Sequence, residues 1–205
     1  MVRGKILITG LFGALLLFAS SAMAQQEGRH EVSVQGTGFF TKDSQGNGIF
    51  QHFTDTGGLL VGHRFHINRW LVTDASYGYD RSTLQNFTPA GTFNVRSNVH
   101  QVTGALVVTF PWSVARLKPY ALAGVGALTF DPTGNAGGFL PEVPSQTKAA
   151  FVYGGGVDYS ISYHISFRGE YRGLVYNRPD FGLSAINSDV TAHTAQPSVG
   201  IVFRF

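Results

Sequence analysis

After residue 30 the chain alternates, one side chain apolar and the next polar or small, and no helical period is sustained. A repeat of two is the signature of an extended strand with chemically distinct faces. It recurs over 30–40, 56–65, 70–80, 98–110, 118–130, 148–160, 164–176 and 193–205, which makes eight segments. In the last of these Val199, Ile201, Phe203 and Phe205 share one parity, and Ser198, Gly200 and Arg204 share the other with Val202. In 30–40 Val32, Val34 and Phe40 oppose Glu31, Ser33, Gln35 and Thr37. In 118–130 Tyr120, Leu122, Leu128 and Phe130 oppose Ala121, Ala123 and Thr129. Each segment is about as long as a tilted strand needs to be to cross a bilayer, roughly ten residues.

The connections alternate as well. Long polar stretches bearing Gly, Asn and Pro occupy 41–55, 81–97, 131–147 and 177–192, and short ones occupy 66–69, 111–117 and 161–163. Short turns at one end and long loops at the other, with an even strand count, allow an antiparallel sheet to close on itself. Closure matters because hydrocarbon offers no partner to an unpaired sheet edge. Aromatic residues gather near strand ends. Phe65, Trp70, Phe110, Trp112, Tyr120, Tyr159, Tyr163, Phe203 and Phe205 fall on the turn side. Phe40, Tyr77, Tyr79, Phe130, Phe151 and Tyr153 fall on the loop side. Two interfacial girdles have this distribution. Charged residues make up only 13% of the chain, too few to cover a water-facing surface, which is normally about a quarter to a third charged. The expected fold is an all-β, eight-stranded antiparallel up-and-down transmembrane β-barrel in the outer membrane, with the oily parity of every strand facing lipid. A soluble lipocalin-like barrel of inverted polarity is the rival. It would need the lightly charged Ser/Thr/Gly face to serve as the solvent surface.

The first 24 residues stand apart. Arg3 and Lys5 precede an apolar run over 6–18, and Ala22 and Ala24 frame a small-x-small cleavage site. These are the parts of a signal peptide, with cleavage expected after Ala24 and one barrel domain over 25–205. Without Arg3 and Lys5, thirteen basic side chains face twelve acidic ones, so no basic patch argues for nucleic acid. The absence of cysteine excludes a lipid-anchoring thiol and any disulfide. No cofactor or metal is expected. His52, His100 and His193 lie in or near different loops without ligand spacing.

The polar parity carries Glu31, Arg64, Asp74, Asp158, Arg168, Glu170, Arg172 and Arg204, four acids and four bases. Charges inside a narrow barrel must pair or cost several kcal/mol each. Arg64 and Asp74 are equidistant from the turn near Arg69, and Asp158 and Arg168 from the turn near Tyr163. Arg204 and Glu31 would meet where the last strand closes on the first. Directly opposite residues on one face are neighbours, so these pairs are expected to plug the turn-side half of the lumen. Glu170 and Arg172 would lie nearer mid-height.

Pro119-Tyr120-x-x-x-Gly124-x-Gly126, Gly154-Gly155-Gly156-Val157-Asp158-Tyr159, Phe167-Arg168-Gly169-Glu170-Tyr171-Arg172 and Gly200-x-x-Phe203-x-Phe205, in this order and spacing, resemble the OmpA/OmpX-like outer membrane protein β-barrel domain. The resemblance covers the whole mature chain. It implies an eight-stranded barrel in the outer membrane of a Gram-negative-type bacterium, in contact with lipid and lipopolysaccharide. It also implies a terminal signal at Gly200, Phe203 and Phe205 read by the barrel-assembly machinery. The roles it implies are envelope integrity, adhesion or another surface interaction, and occasionally passage of small solutes. Pro197 departs from the pattern, since it has no N–H to give a central ladder; a bulge or a later strand start would accommodate it.

Three functions follow from these residues. A structural or surface-interaction barrel, monomeric, non-catalytic and binding any ligand through its loops, is the principal reading. A narrow channel for small solutes or ions is the alternative. A lipid A-modifying enzyme is the second alternative, because His164, Ser166 and Glu170 mimic a nucleophilic set. They begin a strand on the turn side, though, with His164 and Ser166 expected in the lumen, across the membrane from lipid A. Asp55 and Asp80 near the loops are the corresponding hint of an aspartyl-type barrel protease, but such barrels are larger and need more strands.

Overall fold

The computed structural model describes residues 29–41, 44–46, 49–53, 56–88, 91–111, 116–132, 145–177 and 191–205. The expected leader, Trp112 and most of the loop residues lie outside them. Ten strands follow in chain order: β1 (His30–Thr41), β2 (Ser44–Gly46), β3 (Ile49–Phe53), β4 (Thr56–His66), β5 (Leu71–Thr88), β6 (Gly91–Thr109), β7 (Leu117–Pro132), β8 (Gln146–Ser160), β9 (Ile165–Asn177) and β10 (Thr191–Arg204). All neighbours are antiparallel, and β1, β4, β5, β6, β7, β8, β9 and β10 form a ring closed between β1 and β10. β2 and β3 are a short hairpin laid along the loop-side end of β5.

The stagger of the ring follows from its pairings. Stepping between partners from Glu31, the path runs through Arg64, Asp74, Ala105, Gly124, Val152, Leu174 and Thr194. It returns to β1 at Thr41, ten residues beyond its start. A ladder with that shear closes only if the strands tilt steeply to the barrel axis. Every non-glycine member of the path is buried, so the path winds up the inside of the cylinder.

Short polar side chains set the turns that hold this stagger. Asn68 Oδ1 accepts from the backbone N–H groups of Trp70 and Leu71, both at 2.8 Å. Ser162 Oγ accepts from Ile165 N at 3.2 Å. Both are side-chain mimics of a backbone turn. On the loop side the strands run further than the alternation implied. The stretch 81–97, expected as a loop, continues the β5–β6 ladder to Thr88 opposite Gly91. The stretch 41–55, also expected as a loop, contains β2 and β3. Cross-strand pairing overrides local polarity here, because a polar residue above the hydrocarbon is as acceptable in a strand as in a loop.

One face assignment is overturned. On β7 Tyr120, Leu122, Leu128 and Phe130 are buried inside the barrel, whereas Ala121, Ala123 and Val125 face out. Both parities of this strand are apolar, so periodicity could not choose between them. Register chooses: Asp158 points inward, its partner is Lys118, and Tyr120 follows two residues on. Tyr120 and Phe130 therefore leave the aromatic girdles. Trp70, Phe110, Tyr159, Tyr163, Phe203 and Phe205 remain exposed on the turn side, and Phe40, Phe151 and Tyr153 toward the loops.

Pro197 is accommodated without a bulge and without a late start. β10 keeps one register along β1, but the pairing lapses between Thr37–Ser198 and Phe40–Ala195. On its other side Pro197 stays opposite Tyr171. The missing donor thus leaves a short gap in the closing seam and nothing else. Pro197→Ala restores a donor to that seam. The expected result is a barrel stabilised by about 1 kcal/mol, read as a raised urea midpoint for folding into lipid vesicles. Gly156, opposite Tyr120, is needed for another reason: a Cβ there would sit 2.5 Å from Tyr120 Oη. Gly156→Val should displace that ring and lower stability by about 1–3 kcal/mol in the same measurement.

Candidate functional site in the barrel lumen

An eight-stranded ring leaves an interior that side chains can fill, and three kinds of side chain fill it. The turn-side half is ionic. Arg64 comes from β4 and donates through Nε to Asp74 Oδ2 on β5 at 2.8 Å. Its Nη2 reaches Glu170 Oε2 on β9 at 2.6 Å. Arg172, two residues above Glu170, donates Nε to Glu170 Oε1 at 2.5 Å. It also crosses to Asp74 Oδ1 at 3.3 Å. β9 and β5 lie on opposite sides of the ring, so Arg172 spans the lumen. Ser76 Oγ and Thr103 Oγ1 accept from Arg172 Nη1 at 2.6 and 3.2 Å. Tyr120 Oη donates to Glu170 Oε2 at 2.6 Å, with its ring under Arg64.

A second group lies beside the seam. Arg168 grips Asp158 with two hydrogen bonds of 2.7 Å each and extends Nη2 to Glu31 Oε2 at 3.1 Å. Arg204 donates to Glu31 Oε1 across the β1–β10 closure, through Nε at 2.9 Å and through Nη2. His66 Nε2 approaches the same oxygen at 2.8 Å. All eight charged residues singled out from the sequence meet here. Arg64 opposite Asp74, Asp158 opposite Arg168 and Glu31 opposite Arg204 are direct cross-strand partners. Arg64 with Glu170 and Arg172 with Asp74 are contacts across the tube. Strand spacing cannot reveal these, because they depend on curvature and stagger.

Above the ions the lumen is neutral and polar. Gln101 and Gln196 exchange amide hydrogen bonds at 3.2 and 3.3 Å. Ser198 Oγ donates to Gln35 Oε1 at 3.0 Å. Asp80 is wholly buried, and among the described residues no cation pairs with it. Thr37 Oγ1 donates to its Oδ1 at 2.9 Å and Gln196 Nε2 to its Oδ2 at 3.4 Å. Gly58 opposite makes the room, since a Cβ there would lie 1.9 Å from Asp80 Oδ1. The loop-side end is apolar: Phe39, Val99, Leu128, Phe130, Val152 and Leu174 are buried together with Tyr176. Sequence reading missed Tyr120, His66 and this apolar end. His66 shares the parity of Arg64. Tyr120 follows from the Lys118–Asp158 pairing, which spans the long connection between β7 and β8 and so is not legible in the sequence.

The nucleophilic set does not assemble. His164 is exposed in the turn, with its ring against Tyr163, not in the lumen as its parity had implied. Ser166 is buried, and Glu170 is occupied by Arg64, Arg172 and Tyr120. Among the described residues the histidines do not converge either. His100 faces outward on β6, where Nδ1 lies 2.7 Å from Tyr77 Oη. His193 lies on β10, 2.5 Å from Tyr153 Oη. The side chain of His52 and all of Asp55 lie outside the described residues. Gly200 is on β10 opposite Gln35, Phe203 is exposed on the outer wall, and Phe205 bonds its backbone N–H to His30 O at 2.9 Å.

Comparison with known proteins gives a consistent placement. The family model for the outer membrane protein beta-barrel domain matches residues 11–205. The crystal structure of OprG from Pseudomonas aeruginosa superposes with a TM-score of 0.66 at 14% identity, over 88% of this chain and 97% of that one. Neisserial surface protein A gives 0.58 at 14% identity, over 86% and 97%. Ail, the attachment invasion locus protein of Yersinia pestis, solved with the heparin analogue sucrose octasulfate, gives 0.55 at 16% identity, over 88% and 100%. At these identities the likeness is one of fold. No curated protein sequence matches the chain. A closed ring of eight antiparallel strands with an oily exterior, matched by the family model over almost its whole length, makes this chain a member of the outer membrane protein beta-barrel domain family and an integral protein of that membrane.

Proposed function

We propose that the protein is a closed, non-catalytic scaffold of the outer membrane. It would serve envelope integrity, or an interaction at the cell surface, through its loop-side end. The observation that carries this reading is the filling of the lumen from ionic floor to apolar ceiling. Arg172 spans the tube to Asp74, Gln101 and Gln196 occupy the middle, and Phe39, Leu128 and Phe130 sit toward the loops. Water would have to cross a zone where the charged groups are held in ion pairs and the amides in hydrogen bonds, then one with few polar groups to receive it. The extension of β5 and β6 to Thr88 and Gly91, with β3 paired along β5, supports the surface role. It continues the wall as a small hydrogen-bonded sheet, a base from which loops can be presented.

In planar bilayers the wild-type barrel should pass no large, steady current; sustained open-channel conductance would overturn the closed-scaffold reading. The same pairing sets stability unequally. Arg168→Ala leaves Asp158 buried without its bidentate partner and should cost about 3–5 kcal/mol. Arg204→Ala removes a partly exposed group while Glu31 keeps Arg168, and should cost under about 1 kcal/mol. Urea titration of vesicle-inserted protein distinguishes the two. Equal losses would mean that the lumen is wetter than its packing implies.

A further inference from the structure

The lumen network is neutral by itself, with four carboxylates against four guanidinium groups. Its turn-side end opens into a vestibule of about 640 Å³ whose walls add cations that the network does not use. Arg29 precedes β1, Arg69 lies in the β4–β5 turn and Lys118 begins the inward face of β7, and all three line the cavity. Among the described residues none of them is in an ion pair. The acids that line it, Glu31 and Asp158, are already held by Arg168 and Arg204. Among the described side chains that line it, the vestibule therefore has a surplus of three positive charges, with His66 beside them. Its rim is aromatic: Trp70, Phe110 and Tyr163 line it, and the Arg69 guanidinium lies 5.2 Å from the Trp70 ring.

We propose that this vestibule is a binding site for phosphate esters reaching it from the periplasmic side, where the short turns of such barrels lie. Three cationic donors from three separate segments surround one opening. A phosphate presents oxygens in several directions and can be met by all three, whereas a carboxylate presents two oxygens in one plane. The aromatic rim suits the glycerol and first methylenes that follow a headgroup, because such rings settle at the membrane interface. The ester would come from an inner-leaflet phospholipid or from a soluble periplasmic solute. The site is a dead end, closed beneath by Arg64 and Tyr120, and it does not depend on what the loops bind.

The test is calorimetric titration of the intact barrel in dodecyl maltoside, which carries no phosphate, with glycerol phosphate, short-chain dihexanoyl phosphatidylglycerol and glycerate as probes. The expected result is saturable binding of a phosphate probe that weakens as salt is raised. The triple variant R29Q/R69Q/K118Q should bind at least about tenfold more weakly, while Lys148→Gln at the loop-side end changes nothing. Tighter binding of the lipid than of glycerol phosphate assigns the site to headgroups; equal binding assigns it to soluble esters. Heat-modifiable migration on a detergent gel verifies that the triple variant is folded. If that variant does not fold, Arg69→Gln alone, in an exposed turn, should weaken binding by about threefold. Absence of saturable binding by either phosphate probe, undiminished binding by the folded variant, or glycerate binding as tightly as glycerol phosphate would overturn the proposal.

Discussion

Everything in this protein follows from the need to leave no backbone hydrogen bond open toward hydrocarbon. A flat sheet fails that requirement at its two edges, so β10 must return to β1, and it does so with the ten-residue stagger traced through the pairings. Closure with that stagger fixes the bore. A bore this narrow cannot hold a column of bulk water, so the side chains aimed into it must satisfy one another. The ion pairs are thus a consequence of closure, not its cause: once eight charged residues are enclosed, each needs a partner or the barrel loses several kcal/mol per orphan.

The enclosed groups are sorted along the axis. Arg64, Asp74, Glu170 and Arg172 form a cycle in which both carboxylates touch both guanidinium groups. Amides and hydroxyls take over at Gln35, Gln101, Gln196 and Ser198, and aromatic and aliphatic side chains close the loop-side end. Such stratification keeps charges near the wetter turn-side mouth, where the cost of burial is smallest. It places the driest packing at the opposite end. Asp80 is the exception, a carboxyl set among neutral donors above the ionic layer.

The outer wall follows a different rule. Lipid accepts any apolar surface of modest texture, so β7 can show it alanine and valine while spending its larger side chains on the lumen. Polar outward residues satisfy one another across the wall, as Tyr77 does with His100 and Tyr153 with His193. Gly173 lies beneath Tyr153, where a Cβ would come 2.5 Å from the ring. The phenol can thus lie flat on the wall and reach its histidine.

The sequence alone determined the eight strands of the barrel wall, their antiparallel order, the side on which turns and loops lie, and the parity of every wall strand whose faces differ in polarity. Alternation of hydrophobicity is a local property, written residue by residue, and hairpin symmetry about a short turn made Arg64–Asp74 and Asp158–Arg168 legible as neighbours. The tertiary structure alone decided the rest. β7 has two apolar parities, so only its register against Asp158 sets which faces inward. Arg172 meets Asp74, and Arg64 meets Glu170, because closure and stagger bring distant strands within a side chain's reach across the bore. The length of the loop-side hairpin depends on whether two polar segments pair with each other. Contacts across a closed tube belong to its curvature, and curvature is a property of the whole ring that no single segment encodes.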